Sequence, residues 1–290
     1  MAFEFKKLRN LIVTRLRGNK PQGEANRHAR RVSSYFSFSQ AMFIAVLIFL
    51  FMPLFVLVFY SFNSTRSMNW SGFSFIWYEQ LLFHSRGLWR SFGNTIFIAL
   101  TSAFSATLIG TVGAIGVSFY RFRLRSFVQT ISFMPMVLPE IIIGVSLAVF
   151  FAGVGVKLGL LTIYIAHTAF NLPFVFLMVM ARLDEFDYSI IEAAHDLGAD
   201  EKQTFLHVTI PVSMPGIVSG FLTAVTMSLE DFVITYFVAG PGSSTLPLYI
   251  YSAIRFGISP VINALSVVMI LGTVLLTYLL RNFLKYIAAK

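Results

Sequence analysis

Three carboxylates stand in stretches of sequence that hold little else polar: Glu140, directly after Pro139, and the adjacent pair Glu230–Asp231. A charged side chain at the centre of an apolar medium costs about 2.5–3.5 kcal/mol on insertion scales, so each needs a counter-charge or a solvated cleft. No Lys or Arg lies inside the apolar runs that carry them. Holding a cation is the chemistry open to such acids, and an organic polycation would answer several at once. Nearby aromatic residues such as Trp77, Tyr236 and Phe237 can add about 0.5–2 kcal/mol each by cation–π attraction. Plainer roles stand beside this one. Glu140 can open a helical segment after Pro139, where the helix dipole favours an acid. Glu230 or Asp231 can pair with an arginine such as Arg255 or with a second subunit, and Trp77 can be an interfacial anchor. Asn94, His167 and Asn171 read as interhelical hydrogen bonders rather than ligands.

Other chemistries find little support. The chain has no cysteine, which removes disulfides, thiolate metal sites and thiol catalysis. Its five histidines are scattered, and no pair shares a helix face at metal-ligand spacing. "GVGVKLG" at 153–159 has glycines but not the spacing of a phosphate loop, so no ATP hydrolysis by that route is expected. The acids have no nucleophile–base constellation beside them, which disfavours an enzyme. The chain is therefore expected to bind no metal and no cofactor of its own. Net charge is +9, yet nine of the 22 Lys and Arg fall in residues 1–40, ahead of the first apolar run. That basic tail suits orientation and contact with anionic lipid rather than nucleic acid.

The elements that must position these acids are membrane helices. The 290 residues are 57% hydrophobic and 12% charged, with mean hydropathy +0.76, and a water-soluble domain cannot bury so much apolar surface. About 20 apolar residues span a bilayer as a helix. Six stretches approach that length: 41–62, 92–119, 127–152, 159–181, 215–238 and 261–283. The second is rich in small residues (Ser102, Ser105, Ala106, Gly110, Gly113, Gly116) that permit close helix approach. With the N-terminus inside, the inner segments hold 17 Lys and Arg and the outer segments 5, so both termini are expected to be cytoplasmic. The expectation is an all-α, six-span membrane domain over 41–285 behind a tail at 1–40. "GPGSSTLP" at 240–247 forms an outer turn leading into a short helix that ends near Arg255.

The loop at 182–214 breaks the pattern, with seven Asp and Glu against two bases. Ser189 and Glu192 have the spacing of a capping box, Gly198 falls where a left-handed residue ends a helix, and Asp200 with Gln203 repeats the start signal. A second helix is expected through about His207, stopped by Pro211, with Pro215 in the first turn of the fifth span. A simple connecting hairpin would fit these signals. The residue identities say more: Glu192-Ala193-Ala194, three residues, Gly198, nine residues, then Val208-Thr209-Ile210-Pro211 resembles the EAA signature of ABC-importer permeases. Val208 and Ile210 replace an isoleucine and a leucine of that pattern. From about Phe59 onward, "PMVLPEIIIGVSLAVFF", "HTAFNLPFVF" and "SLEDFVITYFVAGPGSSTLPLYIYSAIRFGISPVINAL" look like the second membrane subunit of spermidine/putrescine transporters.

The resemblance implies the type I ABC-importer membrane fold in a bacterial inner membrane. It implies a dimeric P-loop ATPase that uses ATP and magnesium, a related sister permease and an extracytoplasmic substrate-binding protein. It makes the loop a coupling helix in which Glu192, Ala193, Ala194, Gly198, Asp200, Glu201 and Pro211 dock on the ATPase. It strengthens the reading of Glu140, Glu230, Asp231 and Trp77 as a polyamine pathway. The same machine with another cationic or amino-acid-like cargo, and an ion-coupled carrier acting alone, remain alternatives.

Overall fold

The computed structural model describes residues 22–67, 69–255 and 259–288. In chain order the helices are α1 (Gln22–Ser61), α2 (Ile76–His84), α3 (Arg86–Phe119), α4 (Arg125–Val137), α5 (Glu140–Gly153), α6 (Leu160–Asp184), α7 (Ser189–Asp196), α8 (Glu201–Thr204), α9 (Ile210–Glu230), α10 (Val233–Val238), α11 (Leu246–Arg255) and α12 (Pro260–Ala288). Among the described residues the one isolated β-bridge joins Asn63 to Phe73. The all-α expectation holds. Of the basic tail, residues 1–21 lie outside the described residues, and α1 runs without a break across the expected boundary at residue 40.

Among the described residues, five helical stretches are long and apolar enough to cross a bilayer, and a bent pair makes a sixth if it is counted as one span. That pair corrects the expected single helix over 127–152. α4 and α5 meet at 109° across Leu138–Pro139. Pro139 has no N–H to donate and pushes the residue before it out of the helical region, so Leu138 is extended, with φ −81° and ψ 138°. The expected span at 215–238 is broken as well. α9 ends at Glu230, Asp231 is extended, and the chain resumes as α10.

The chain divides into two compact units, one made of the residues up to Ser74 with those from Asn263, the other of Phe75–Ile262. In the first, the segment after α1 is organised by Asn63. Its side-chain amide donates to the carbonyls of Ser67 and Asn69 and accepts from the Ser71 N–H. Phe59 stacks on Trp70 with ring centroids 4.3 Å apart, and Phe62 on Phe73 at 5.0 Å.

The second unit is built around α6. Small residues bring α3 and α9 onto it: a Cβ on Gly110 would lie 3.0 Å from Val175 Cγ1, and one on Gly220 3.1 Å from Val175 Cα. Lipid supplies no hydrophobic drive between helices, so such close packing is what holds membrane helices together. Ala103, Ala106, Val175, Phe176, Val179 and Ala224 form this core. A second cluster, with Ile98, Phe151, Ile163, Phe170 and Ile234, ties α5 and α10 to α3 and α6. Here a Cβ on Gly144 would meet Phe237 Cδ2 at 2.8 Å. The turn after α10 presses on the segment before α6. Gly240 leaves no room for any side chain, since its Cβ would sit 1.8 Å from the Leu158 carbonyl oxygen, and the Thr162 hydroxyl donates to the Val238 carbonyl at 2.7 Å.

Candidate functional site

The two helix breaks meet. Glu140, the first residue of α5, and Glu230 and Asp231, at the end of α9, line one cavity of about 220 Å³ together with Phe170, Met227, Phe232 and Val233. Non-helical backbone at membrane depth leaves N–H and C=O groups unpaired and is tolerated where it is buried in protein or lines a polar space. Both breaks serve that end, placing three carboxylates around one small volume. Glu140 and Glu230 are exposed, whereas Asp231 is 8% exposed.

Asp231 is fully engaged. Its carboxylate accepts from the backbone N–H groups of Ile234 (3.2 Å) and Thr235 (2.9 Å) and from the Thr235 hydroxyl (2.8 Å). These are the donors an α-helix leaves unpaired at its start, so Asp231 acts as the cap of α10. Its Oδ2 also lies 3.0 Å from His167 Nε2. A carboxylate can only accept, which assigns the proton of that bond to Nε2. Nδ1 of His167 then faces Ser228 Oγ at 2.6 Å, and Ser228 continues to Ser102 at 3.3 Å. A chain of buried polar groups thus links α3, α6, α9 and α10. The partner of Asp231 is His167 and not Arg255.

Asn94 and His167 behave as the expected interhelical hydrogen bonders. The Asn94 amide donates to the Ser244 carbonyl at 2.9 Å, and beside it Thr95 accepts from the Leu246 N–H at 2.7 Å, fastening the turn before α11, and α11 itself, to α3. Asn171 does not follow. It is completely buried, and neither its amide nitrogen nor its oxygen has a partner among the described residues.

The second candidate region is the acidic hairpin. α7 begins at Ser189 with Tyr188 as its N-cap and no side-chain cap, so the expected Ser189–Glu192 capping box is absent. Asp187 does the work instead, accepting from the Ser189 N–H at 3.0 Å. That hydrogen bond holds the Asp187 carboxyl below its ordinary range. The expected left-handed turn is present at Gly198, with φ +84°. The Asp200–Gln203 capping box is present too: the Gln203 N–H donates to Asp200 Oδ1 at 2.6 Å, and the Asp200 N–H to Gln203 Oε1 at 3.0 Å.

Pro211 does not stop the following helix. A π-helical turn at Phe205–Thr209 joins α8 to α9, and the 30 residues Glu201–Glu230 run continuously. Pro211 is the second residue of α9, directly after the π-turn, and Pro215 lies further inside that helix. α7 has two faces. Ile191 and His195, with the half-exposed Tyr188 just ahead of the helix, line a small cavity. Ile190 (47% exposed), Glu192, Ala193 and above all Leu197 (89% exposed) look out.

Residues 106–290 match the family of binding-protein-dependent transport system inner membrane components. The chain belongs to that family. It is 38% identical over 227 residues to the spermidine/putrescine transport system permease protein PotC of Escherichia coli (strain K12), covering 78% of this chain and 86% of that protein. It is 41% identical over 234 residues to the putrescine transport system permease protein PotI of the same organism, covering 78% and 83%. The fold is shared with a bacterial ABC transporter that imports the acidic polysaccharide alginate (TM-score 0.69, 17% identity, 87% of this chain and 97% of that one). It is shared also with the inward-facing MetNI methionine transporter (TM-score 0.56, 23% identity, 67% and 90%).

In this inner membrane component the sequence-predicted acids divide by environment. Glu140, Glu230 and Asp231 share a cavity, whereas Trp77 is buried on α2 and is not among the residues that line it. The two aromatic residues that line the cavity, Phe170 and Phe232, are ones the sequence reading missed. Phe232 lines the cavity and packs on Tyr251 at 4.5 Å, and Tyr236, which the sequence did single out, lies 5.6 Å from Phe232. Phe232 follows Asp231 directly, and that adjacency was the available signal; nothing in the spacing marks Tyr251.

Proposed function

We propose that this inner membrane component is the permease subunit of an ATP-driven importer of polyamines, with cargo amines passing the Glu140–Glu230–Asp231 cavity. The observation that carries this reading is the convergence of three carboxylates, flanked by Phe232 and Tyr236, on two broken spans. Such a wall suits an alkyl chain bearing ammonium groups: acids meet the charges and rings meet the methylenes and the cation. The names of the PotC and PotI relatives support the same cargo.

Force enters from a separate P-loop ATPase dimer that binds ATP and magnesium. The outward face of α7, with Glu192, Ala193, Ala194, Leu197 and the Gly198 bend, seats in that ATPase, and Asp200, Glu201 and Pro211 fix the return into the membrane. A related sister permease completes the pathway, an extracytoplasmic binding protein delivers cargo, and both termini face the cytoplasm. ATP binding draws the hairpins with the ATPases and rocks the spans, so that the acid cavity faces alternate sides; differential affinity of the motor for the two states supplies the drive.

Uptake of radiolabelled spermidine and putrescine by the complete complex in proteoliposomes tests this. Glu140→Gln removes one charge-assisted contact worth about 1.5–3 kcal/mol, which is roughly 10- to 100-fold in affinity. The expected result is a KM raised by at least about tenfold with ATPase assembly intact. An unchanged KM removes Glu140 from the pathway, and uptake of an amino acid in place of either amine replaces the cargo.

A further inference from the structure

A second cavity of about 220 Å³ lies between the inward face of α7, the end of α3 and the π-helical turn. Phe119, Tyr188 and Phe205 give it an aromatic wall, with the Phe119 and Tyr188 rings 5.6 Å apart. Glu201 is the one acid in that wall, and neither Lys nor Arg lines it. Thr204 stands in the same wall, 4% exposed, and its hydroxyl is buried without a hydrogen-bond partner. A buried hydroxyl left unpaired is unfavourable and marks a place that another polar group can complete.

We infer that this cavity is a binding site for a small alkylammonium ion, held behind the coupling helix and distinct from the membrane cavity. The wall rejects the other ligand classes. An anion would meet Glu201 and no base, within a loop that carries seven acids against two bases. A metal ion would find only His195 and Glu201 here, and no group of three His, Cys, Asp or Glu able to hold one occurs among the described residues. An ammonium group can instead pair with the Glu201 carboxylate and donate to Thr204, while its methylenes lie on Phe119 and Phe205 and its charge faces the Tyr188 ring.

The ligand would wedge α7 from the side opposite its outward face, at the π-turn through which α7 connects to α9. Where the transport reading above holds, an amine accumulating in the cytoplasm would thereby brace the coupling helix and slow further import. The site itself rests only on the cavity and its wall, so it survives a different cargo for the permease.

The test uses the full chain in detergent micelles with 1,4-diaminobutane as probe, read by amide hydrogen exchange over residues 188–209. Sodium chloride at matched ionic strength is the control. The expected result is at least fivefold slower exchange across α7 and the π-turn, lost in Glu201→Gln, weakened in Thr204→Val and retained in Glu140→Gln. Equal slowing by the salt, no slowing at all, or slowing untouched by both Glu201→Gln and Thr204→Val overturns the site. Loss in Glu140→Gln with retention in Glu201→Gln places the amine in the membrane cavity and overturns it equally. The uptake experiment reads cargo independently, so failure here leaves the transport reading standing.

Discussion

Two acids one bond apart in sequence carry different burdens. Glu230 ends α9 exposed, whereas Asp231 turns inward to cap α10 and meet His167. Asp231→Ala would leave the Ile234 and Thr235 N–H groups unpaired in a buried setting and His167 Nε2 with only the Thr235 hydroxyl, 2.9 Å away. Removing one partner of a buried pair costs about 3–5 kcal/mol. The thermal unfolding midpoint of the purified chain should fall clearly for Asp231→Ala and scarcely for Glu140→Gln, which has no such network to lose. Equal midpoints for Asp231→Ala and the parent would show that Asp231 serves the cavity alone. Sequence reading could place all three acids but not rank them, because rank depends on which way each points once the span breaks. His167 lies 64 residues from Asp231, and no local pattern joins them. Asn171 was misjudged for the same reason: its residue type promises hydrogen bonds, and only the helices packed against it decide whether any are available.

At the scale of elements, Pro139 and Asp231 act as matched interruptions, and Gly198 performs a comparable task in the hairpin. Gly198 has φ +84° with no atom within 4 Å of where a Cβ would stand, so a substitution there is opposed by backbone conformation and not by crowding. A non-glycine residue in the left-handed region costs roughly 1–2 kcal/mol, and asparagine is among the residues that visit it most readily. Gly198→Leu should therefore abolish most ATP-driven uptake by the complete complex while the chain still reaches the membrane, and Gly198→Asn should retain a large part of it. Loss that is equal in both variants would point to contact with a partner at this position instead of the bend. Capping signals were legible where they are strictly local, as with Asp200 and Gln203. They failed at Ser189, whose own N–H is taken by Asp187 two residues earlier, and at Pro211, which directly follows a π-turn inside a continuous helical run. A wide turn leaves no composition signature, which is why the stop at His207 looked secure.

For the whole molecule, six spanning segments follow from hydropathy because the bilayer demands about 20 apolar residues per crossing whatever the packing. Sequence supplied no comparable rule for the division into two units or for the 109° bend between α4 and α5. The distribution of apolar surface carries the remaining functional argument. Leu197 is 89% exposed in the most acidic segment, directly after the helix that carries Ile190 at 47%. Lipid explains exposed apolar side chains along the spans, but not in a charged hairpin that connects them. The docking surface proposed above would. Burying one leucine contributes about 1.5–3 kcal/mol, or roughly 10- to 100-fold in affinity. Leu197→Ser with Ile190→Ser should leave the unfolding midpoint of the isolated chain within about 1 °C, since surface changes away from the core move stability by less than about 0.5 kcal/mol. The same pair should strip the ATPase subunit from the purified complex and abolish nucleotide-driven uptake. A double variant that still copurifies with the ATPase and still transports would move the motor's grip away from α7, and with it the reason for a charged knob ending in a bare leucine.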